Sequence, residues 1–188
     1  MRTVDGDPQL PVDAARRGDP DAWHTLLRRY QLPLHTYVMD LVRHEPTSLD
    51  IVQDTFTRAV RHLPSLRDNT RFGSWLFGIA HQQVVQFWRR RGRSPFSEDP
   101  IPESEPAVDP APDLHLIQSE DATRLLDAID TLPVPQRSVI LLHFLEDFPL
   151  TEIAEATGTS LGTVKSRLHY AKRALRNALS QPTPLLPP

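Results

Sequence analysis

The segment over residues 160–179 carries five basic side chains and no acidic one, which is the strongest chemical signal in the sequence. Lysine and arginine at helical spacing can neutralise phosphates, and serine, histidine and tyrosine between them can hydrogen-bond the edges of bases. The candidate DNA-contacting side chains of this segment are Lys165, Ser166, Arg167, His169, Tyr170 and Arg173. A basic helix face also occurs on ordinary surface helices, so the interpretation depends on the elements that position these side chains.

The residues around this segment have the pattern of a helix-turn-helix. Ala154 is small enough for two helices to cross closely, Gly158 accepts a positive φ in the turn, and Ser160 can cap the second helix. The second helix would bury an apolar stripe made of Leu161, Val164, Leu168, Ala171, Leu175 and Leu179. This combination predicts that the second helix enters the major groove of DNA.

Apolar residues recur at helical spacing along most of the chain, and no alternating pattern typical of strands competes with them. The pattern predicts helices over residues 20–30, 31–43, 48–63, 74–91, 117–129, 136–145, 150–157 and 160–179. Pro46 is expected to end the second of these helices, and Thr47 or Ser48 to cap the third. The third helix would bury the stripe Leu49, Val52, Phe56, Ala59, Val60 and Leu63. The predicted fold class is therefore all-α.

A stretch over residues 92–113 separates two groups of helices and contains six prolines and six carboxylates. Such a composition cannot bury enough apolar surface to offset the entropy of ordering, so it predicts a flexible acidic linker. We expect two small helical domains over residues 12–91 and 114–180, with disordered ends at 1–11 and 181–188. The formal net charge of −3 hides this partition, because the stretch 92–113 has six acidic residues and one basic residue and alone carries a net charge of −5.

The remaining composition argues against catalysis and against a membrane protein. The chain has no cysteine, which excludes disulfides and thiol chemistry, and its eight histidines are scattered without metal-binding spacing. His81 and His169 are each expected to face solvent. There is no run of 18 apolar residues and no apolar N-terminal stretch. We expect a cytoplasmic protein with no membrane insertion, catalytic residue, metal or cofactor.

Two parts of the sequence resemble extracytoplasmic-function sigma factors, in the order that this family has them. The sequences Leu49-Asp-Ile-Val-Gln-Asp-Thr-Phe56 and Phe72-Gly-Ser-Trp-Leu-Phe-Gly-Ile-Ala80 resemble the core-binding and promoter-melting helices of sigma region two. The segments over 132–141 and 162–175 resemble the start and the recognition helix of region four. The resemblance implies a sigma-70 family factor that binds core RNA polymerase and directs promoter recognition and transcription initiation for a specific regulon.

The resemblance also implies roles for individual residues. Asp50, Gln53 and Asp54 would contact the clamp helices of core RNA polymerase. The flap of the polymerase is a further expected contact of this protein. The minus-ten promoter element would be contacted by Asn69, Arg71, Gln82, Gln86, Arg89 and Arg90. The basic face over 160–179 would recognise the minus-thirty-five element, and an anti-sigma factor is an expected partner.

The sequence departs from the common family pattern at a few of these positions. His81-Gln82 stands where the family commonly has Arg-Asn, Gln86 where it has Asp, and Tyr170 where many relatives have Arg, which leaves the promoter preference open.

Other interpretations also remain open. Trp75 and Trp88 could stack on bases, although core packing is favoured for large aromatic side chains. For the whole chain, a sigma-like decoy that binds an anti-sigma protein without DNA and an ordinary two-domain repressor are alternatives, whereas scattered histidines argue against an enzyme.

Overall fold

A computed structural model describes residues 10–92, 95–96 and 119–180, with the backbone alone at 119–123. Within these described residues every regular element is helical, which confirms the predicted all-α class. The chain divides near Arg91 into two compact units. The predicted linker over 92–113, the predicted disordered ends at 1–11 and 181–188, and the start of the helix predicted from 117 fall almost entirely outside the described residues.

The described part of the first unit forms four α-helices that pack around one core. They are α1 (Val12–Arg16), α2 (Pro20–Val42), α3 (Glu45–His62) and α4 (Phe72–Arg90), with short 3-10 turns at Leu63–Ser65 and Asn69–Arg71. Helix α2 packs against all of the other three, and α3 packs against α4. Phe72, Phe77 and Leu26 are fully buried in this core, where large apolar side chains stabilise the fold most when they are removed from water.

Helix α2 is continuous, so the predicted break between residues 30 and 31 is wrong. Asp19 caps its N-terminus by accepting hydrogen bonds from two backbone amides. Pro33 lies inside the helix, where the loss of one backbone hydrogen bond costs about 3 kcal/mol. Burial of Leu34 and Leu41 on the core face offsets that cost. The helix ends at Val42, and the next residue, Arg43, has a left-handed φ of 56°.

Helix α3 begins at Glu45, three residues earlier than predicted. Its cap is His44, whose Nδ1 accepts a hydrogen bond from the backbone amide of Thr47 at 3.4 Å. Pro46 lies in the first turn of α3, where its missing N–H removes no intrahelical bond. The predictions that Pro46 ends the preceding helix, and that Thr47 or Ser48 caps this one, are therefore wrong.

The apolar stripe predicted for α3 is only partly buried. Phe56 and Ala59 are buried, but Leu49 and Val60 are each 54% exposed. The core face is rotated so that it includes the fully buried hydroxyl of Thr55. A pattern of apolar residues could not indicate this rotation, because a polar side chain that is hydrogen-bonded in the core has no signature in hydrophobic periodicity.

Gln83 of α4 is the partner that allows Thr55 to be buried. Its Nε2 donates to Thr55 Oγ1 at 2.7 Å, and the Thr55 hydroxyl donates to the carbonyl oxygen of Ile51 at 2.7 Å. Gln83 itself is 7% exposed. This buried pair joins α3 to α4 and sets which face of α4 points outward.

We expect Gln83→Ala to lower the free energy of unfolding of the first unit by about 2 kcal/mol, because it removes a buried hydrogen bond and leaves a void. The measurement is urea denaturation followed by tryptophan fluorescence, since all three tryptophans lie in this unit. Its control is Gln82→Ala, at the exposed neighbouring position, which should change stability by less than about 0.5 kcal/mol. Equal effects of the two changes would contradict the buried pair.

A second buried pair joins α4 to α2. The hydroxyl of Tyr37 lies 2.8 Å from His81 Nδ1, and His81 is 4% exposed. The prediction that His81 faces solvent is therefore wrong. The reason is that α2 supplies a hydrogen-bonding partner in the core, which a histidine needs when it is buried.

The described part of the second unit also forms four helices. They are α5 (Ser119–Thr131), α6 (Val134–Phe144), α7 (Leu150–Thr157) and α8 (Leu161–Ser180). Helix α8 packs against both α5 and α6. The fully buried side chains of this unit include Ile140, Leu142 and Ile153.

Arg137 joins α5 to α6 and was not singled out by the sequence pattern. It is 7% exposed, and its guanidinium donates to the carbonyl oxygens of Ile129 at 3.2 Å and Leu132 at 2.9 Å, with a third bond to that of Asp130. The carbonyls at the end of a helix have no intrahelical donor and carry partial negative charge. Arg137 therefore supplies the C-terminal cap of α5 from the next helix.

Candidate nucleic-acid and protein interfaces

The turn between α7 and α8 has the predicted helix-turn-helix geometry. Gly158 adopts a φ of 64°, and Ser160 Oγ accepts a hydrogen bond from the backbone amide of Thr163 at 3.0 Å. Val164 is fully buried, while Ala154 is half-buried. The positive φ, the cap and the buried valine hold the first turns of α8 in place.

The buried face of α8 differs from the predicted one at both ends and at one basic residue. Val164, Leu168, Ala171 and Leu175 are buried, whereas Leu161 is 36% exposed and Leu179 is half-buried. Arg167 was predicted to contact DNA, but it is 6% exposed and lies three residues after Val164, on the side of the helix that is buried. The structure does not present Arg167 to DNA. Periodicity placed it at the flank, because an arginine is expected to stay solvated.

The opposite face of α8 brings most of the other predicted DNA-contacting side chains together. Lys165, His169 and Arg173 follow each other at steps of four, so they share one face. Lys165 and Arg173 are exposed, and His169 is half-buried with its ring against Tyr170 at 5.4 Å. Ser166 is half-buried beside them. This face presents donors for phosphates and base edges without an acidic side chain on the same helix.

Lys172 follows Lys165 by seven residues and lies on the same side of α8, but its ammonium group contacts α6. Its Nζ is 5.1 Å from the centroid of the Phe144 ring in α6, a cation–π geometry. Partial burial lowers the pKa of Lys172 below its ordinary value. The positive charge of α8 is thus divided between an exposed face and a contact inside the second unit.

The predicted minus-ten side chains of α4 also share a face. Gln82, Gln86, Arg89 and Arg90 are all exposed, at steps of four, three and one along the helix. Two amides lie towards the middle of the helix and two cations at its end. Such a surface can hydrogen-bond bases and neutralise the backbone of a strand.

The two tryptophans of α4 are held within the first unit. Trp88 Nε1 donates to the carbonyl oxygen of Leu41 at 3.2 Å, and the Trp75 ring lies 5.8 Å from the ring of Phe72. Both tryptophans are half-buried. These contacts favour the core-packing interpretation over the stacking of bases.

The loop before α4 contains the other two predicted minus-ten residues, Asn69 and Arg71. Asp68 Oδ1 accepts hydrogen bonds from the Thr70 hydroxyl at 2.6 Å and from the Thr70 amide at 3.0 Å, and these bonds lower the pKa of Asp68. The side-chain oxygen of Asn69 accepts a hydrogen bond from Arg16 in α1 at 2.6 Å. Arg71 is half-buried at the start of α4. The loop is therefore an ordered turn, and the Asn69 amide is already engaged.

An apolar groove lies between α2 and α3 and was missed by the sequence interpretation. It has a volume of about 300 Å³ and is lined by Trp23, Leu27, Gln53, Phe56, Thr57 and Val60. Asp50, Gln53 and Asp54, predicted to contact polymerase, are exposed on the same helix, and Gln53 is part of the groove wall. The sequence of α3 did contain a signal for this groove, because the helix has more apolar residues than one buried face can accommodate.

Neither a metal-binding cluster nor a membrane-spanning helix lies within the part of the chain that the structure describes. No group of three or more histidine or carboxylate side chains there could hold a metal ion. None of the helices described is both long enough and apolar enough to span a bilayer.

The sequence matches two family models. Residues 26–94 match Sigma-70 region 2, and residues 122–175 match Sigma-70, region 4. Among similar proteins, an ECF RNA polymerase sigma-E factor of Salmonella typhimurium strain LT2 is 30% identical over 179 residues, which cover 90% of this chain and 92% of the relative. The RNA polymerase sigma-H factor of Pseudomonas aeruginosa is 29% identical over 187 residues, covering 95% and 96%.

A solved structure supports the same relationship. The sigma factor RpoE of Bartonella quintana, in complex with the anti-sigma factor NepR, has 26% identity and a TM-score of 0.59, covering 82% of this chain and 96% of that one. The chain therefore belongs to the sigma-70 family, in the extracytoplasmic-function group of RNA polymerase sigma factors. As such it binds core RNA polymerase and directs promoter recognition and transcription initiation for a specific regulon. The interpretation as an ordinary two-domain repressor is excluded by the region 2 match.

Proposed function

We propose that this sigma factor uses three exposed surfaces: the face of α8 for the minus-thirty-five element, the face of α4 with its preceding loop for the minus-ten element, and the groove of α3 for core polymerase. The observation that carries the proposal is the alignment of Lys165, His169 and Arg173 on an exposed helix face behind a helix-turn-helix turn. We assign these surfaces to two domains over residues 12–91 and 114–180.

Recognition of the minus-thirty-five element is assigned to the N-terminal half of α8. Lys165 and Ser166 lie within its first two turns, which enter the major groove in helix-turn-helix proteins. His169 and Tyr170 follow one turn later, and Arg173 lies another turn on, closer to the phosphate backbone. Arg167 takes no part in this surface, because it is buried.

We expect alanine at Lys165 or His169 to change base preference at individual minus-thirty-five positions by about tenfold, because a side chain that contacts a base edge discriminates between bases. Arg173→Ala should instead lower binding to all sequences evenly and weaken its salt dependence. The measurement is run-off transcription by core polymerase from a pool of genomic fragments.

The matched control is Lys172→Ala, which also removes one positive charge from α8. Its Nζ lies over the Phe144 ring, so base preference should stay that of the wild type. Suppose that Lys165→Ala, His169→Ala and Lys172→Ala all lower promoter use by the same factor for every sequence in the pool. Binding would then depend on the overall charge of α8 and not on contacts with individual bases.

Contact with the minus-ten element is assigned to Gln82, Gln86, Arg89 and Arg90 on α4, with Arg71 at its start. Amides can hydrogen-bond the edges of unpaired bases, and arginines can neutralise the strand that carries them. All four α4 side chains are exposed, which supports this assignment.

Core polymerase is assigned to the groove and its rim. An apolar side chain from the clamp helices would enter the groove beside Phe56 and Val60, in the manner of a helix that docks into a hydrophobic cleft. Asp50 and Asp54 would meet basic side chains at the edge, where charges contribute to the rate and specificity of association. In the second unit, Leu145 is 54% exposed and suits contact with the flap.

The remaining proposals concern the setting in which these surfaces act. We assign the protein to the cytoplasm, without catalytic activity or cofactor. Because the Bartonella quintana relative forms a complex with an anti-sigma factor, we also assign an anti-sigma partner to this chain. The intact basic face of α8 argues against a decoy that never contacts DNA.

A further inference from the structure

The short helix α1 lies before residue 26, where the match to Sigma-70 region 2 begins, yet it contacts the loop that precedes α4. The contact is made by Arg16. Its Nη2 donates to the carbonyl oxygen of Leu66 at 2.9 Å and to Asn69 Oδ1 at 2.6 Å, while its Nη1 pairs with Asp13. One guanidinium therefore binds both ends of the segment over residues 66–69.

Helix α1 is itself firmly held. Val12 is fully buried and Ala15 is 3% exposed. The indole of Trp23 in α2 donates to the carbonyl oxygen of Ala15 at 2.9 Å. A side chain that extends from such a fixed helix can restrain a loop, because it loses little further entropy when it binds.

Asn69 is the residue on which these contacts converge. Its amide oxygen accepts a hydrogen bond from Arg16 at 2.6 Å, and the proximity of the Asn69 side chain lowers the pKa of Asp13. A side-chain amide has a single accepting oxygen, and in Asn69 the guanidinium of Arg16 engages it. To accept a hydrogen bond from a base edge through this oxygen, Asn69 would have to share it with Arg16 or release Arg16.

We propose that α1 is a positioning element for the minus-ten loop, in which Arg16 holds Asn69 and Leu66 so that the exposed Arg67 and Thr70 are presented to the promoter strand. Asn69 is then an anchor of the loop and does not itself recognise a base. This inference rests on the proposed function, since it takes the loop to contact the minus-ten element. Its physical basis is preorganisation: a loop already in its binding conformation loses less entropy on binding DNA.

The alternative is that α1 only stabilises the first unit. Arg16→Ala and Arg17→Ala distinguish the two, because each removes one positive charge at the end of α1, while Arg17 is exposed. The full chain, bound to core polymerase, is tested on a promoter library randomised at the minus-ten and minus-thirty-five elements. Hydrogen exchange is measured in parallel for the peptide over residues 63–71.

In Arg16→Ala we expect base discrimination at minus-ten to fall about tenfold and exchange in the loop to rise. Core affinity and minus-thirty-five preference should stay unchanged, and Arg17→Ala should behave as the wild type. Arg16→Lys, which keeps the charge but not the two-pronged guanidinium, should show a smaller loss. Asn69→Ala should match Arg16→Ala, and the double variant should be no worse than either, since the pair acts as a unit.

Three results would overturn the inference. One is full minus-ten discrimination in a folded Arg16→Ala protein. Another is loss of discrimination in Asn69→Ala alone, which would make Asn69 a direct reader of bases. The third is a parallel loss of core binding and minus-thirty-five preference, which would indicate general destabilisation.

If Arg16→Ala does not fold, Arg16→Lys and Asn69→Ala decide by the same criteria. Different results would contradict the proposed function itself. They are a wild-type protein without a minus-ten preference, or a minus-ten preference that Gln82→Ala and Gln86→Ala leave unchanged.

Discussion

Val60→Asp should weaken the binding of this sigma factor to core RNA polymerase by at least about 30-fold, which corresponds to 2 kcal/mol or more. Val60 lines the groove between α2 and α3, and a carboxylate there would be desolvated without a partner when a clamp-helix side chain enters. Because Val60 is 54% exposed, the fold should tolerate the change. Affinity is measured by titration of core polymerase with labelled protein, and helicity by circular dichroism.

The matched control for the groove is Leu32→Asp. Leu32 is 69% exposed on α2 and is not part of the groove wall, so the same apolar-to-acidic change should leave polymerase affinity within about twofold. Equal affinities of the two variants would show that the groove does not bind core polymerase. The minus-thirty-five surface, on the other unit, should be unaffected in both.

Arg137→Ala should lower the free energy of unfolding of the second unit by about 3 kcal/mol, the largest effect on stability that we expect. The change removes the guanidinium donor from the carbonyl oxygens of Ile129 and Leu132 at a buried helix end, although Ile129 still accepts from the Leu132 amide. Unfolding in urea is monitored by hydrogen exchange in α5, because this unit contains no tryptophan. Minus-thirty-five binding should weaken, while polymerase binding through the first unit remains.

Arg137→Lys tests the geometry of this cap. It keeps the charge but loses the planar fork that reaches several carbonyls, so about half of the stability loss should remain. Arg173→Ala, at an exposed position of α8, should change stability by less than about 0.5 kcal/mol. A loss in Arg137→Ala as small as that would mean that solvent satisfies the carbonyls of α5.

The parts of the site that could be predicted are those whose cause is local. Gly158, Ser160 and Val164 were identified because a positive φ, a cap and a buried helix position each depend on a few neighbouring residues. The alignment of Gln82 with Gln86 on α4 follows in the same way from the pitch of one helix.

Predictions failed where a residue could occupy either the core or the surface. Arg167 and His81 were expected to be solvated because of their type, and both are buried. Leu49 and Val60 were expected to be buried for the same kind of reason, and both are exposed. Residue type gives only a preference for the core or the surface. That preference is overridden when a neighbouring element supplies a hydrogen bond to a buried polar group or leaves an apolar face exposed.

The sequence by itself determined the all-α class, the order of the two sigma regions and the position of the helix-turn-helix, since each depends on spacing along one stretch of chain. Only the tertiary structure decided which polar groups meet in the core and where the groove lies. The bonds concerned join residues that are 28 positions apart in Thr55–Gln83, 44 in Tyr37–His81 and 53 in Arg16–Asn69. Local periodicity carries no information at such separations, because the partner of a side chain depends on how whole helices pack.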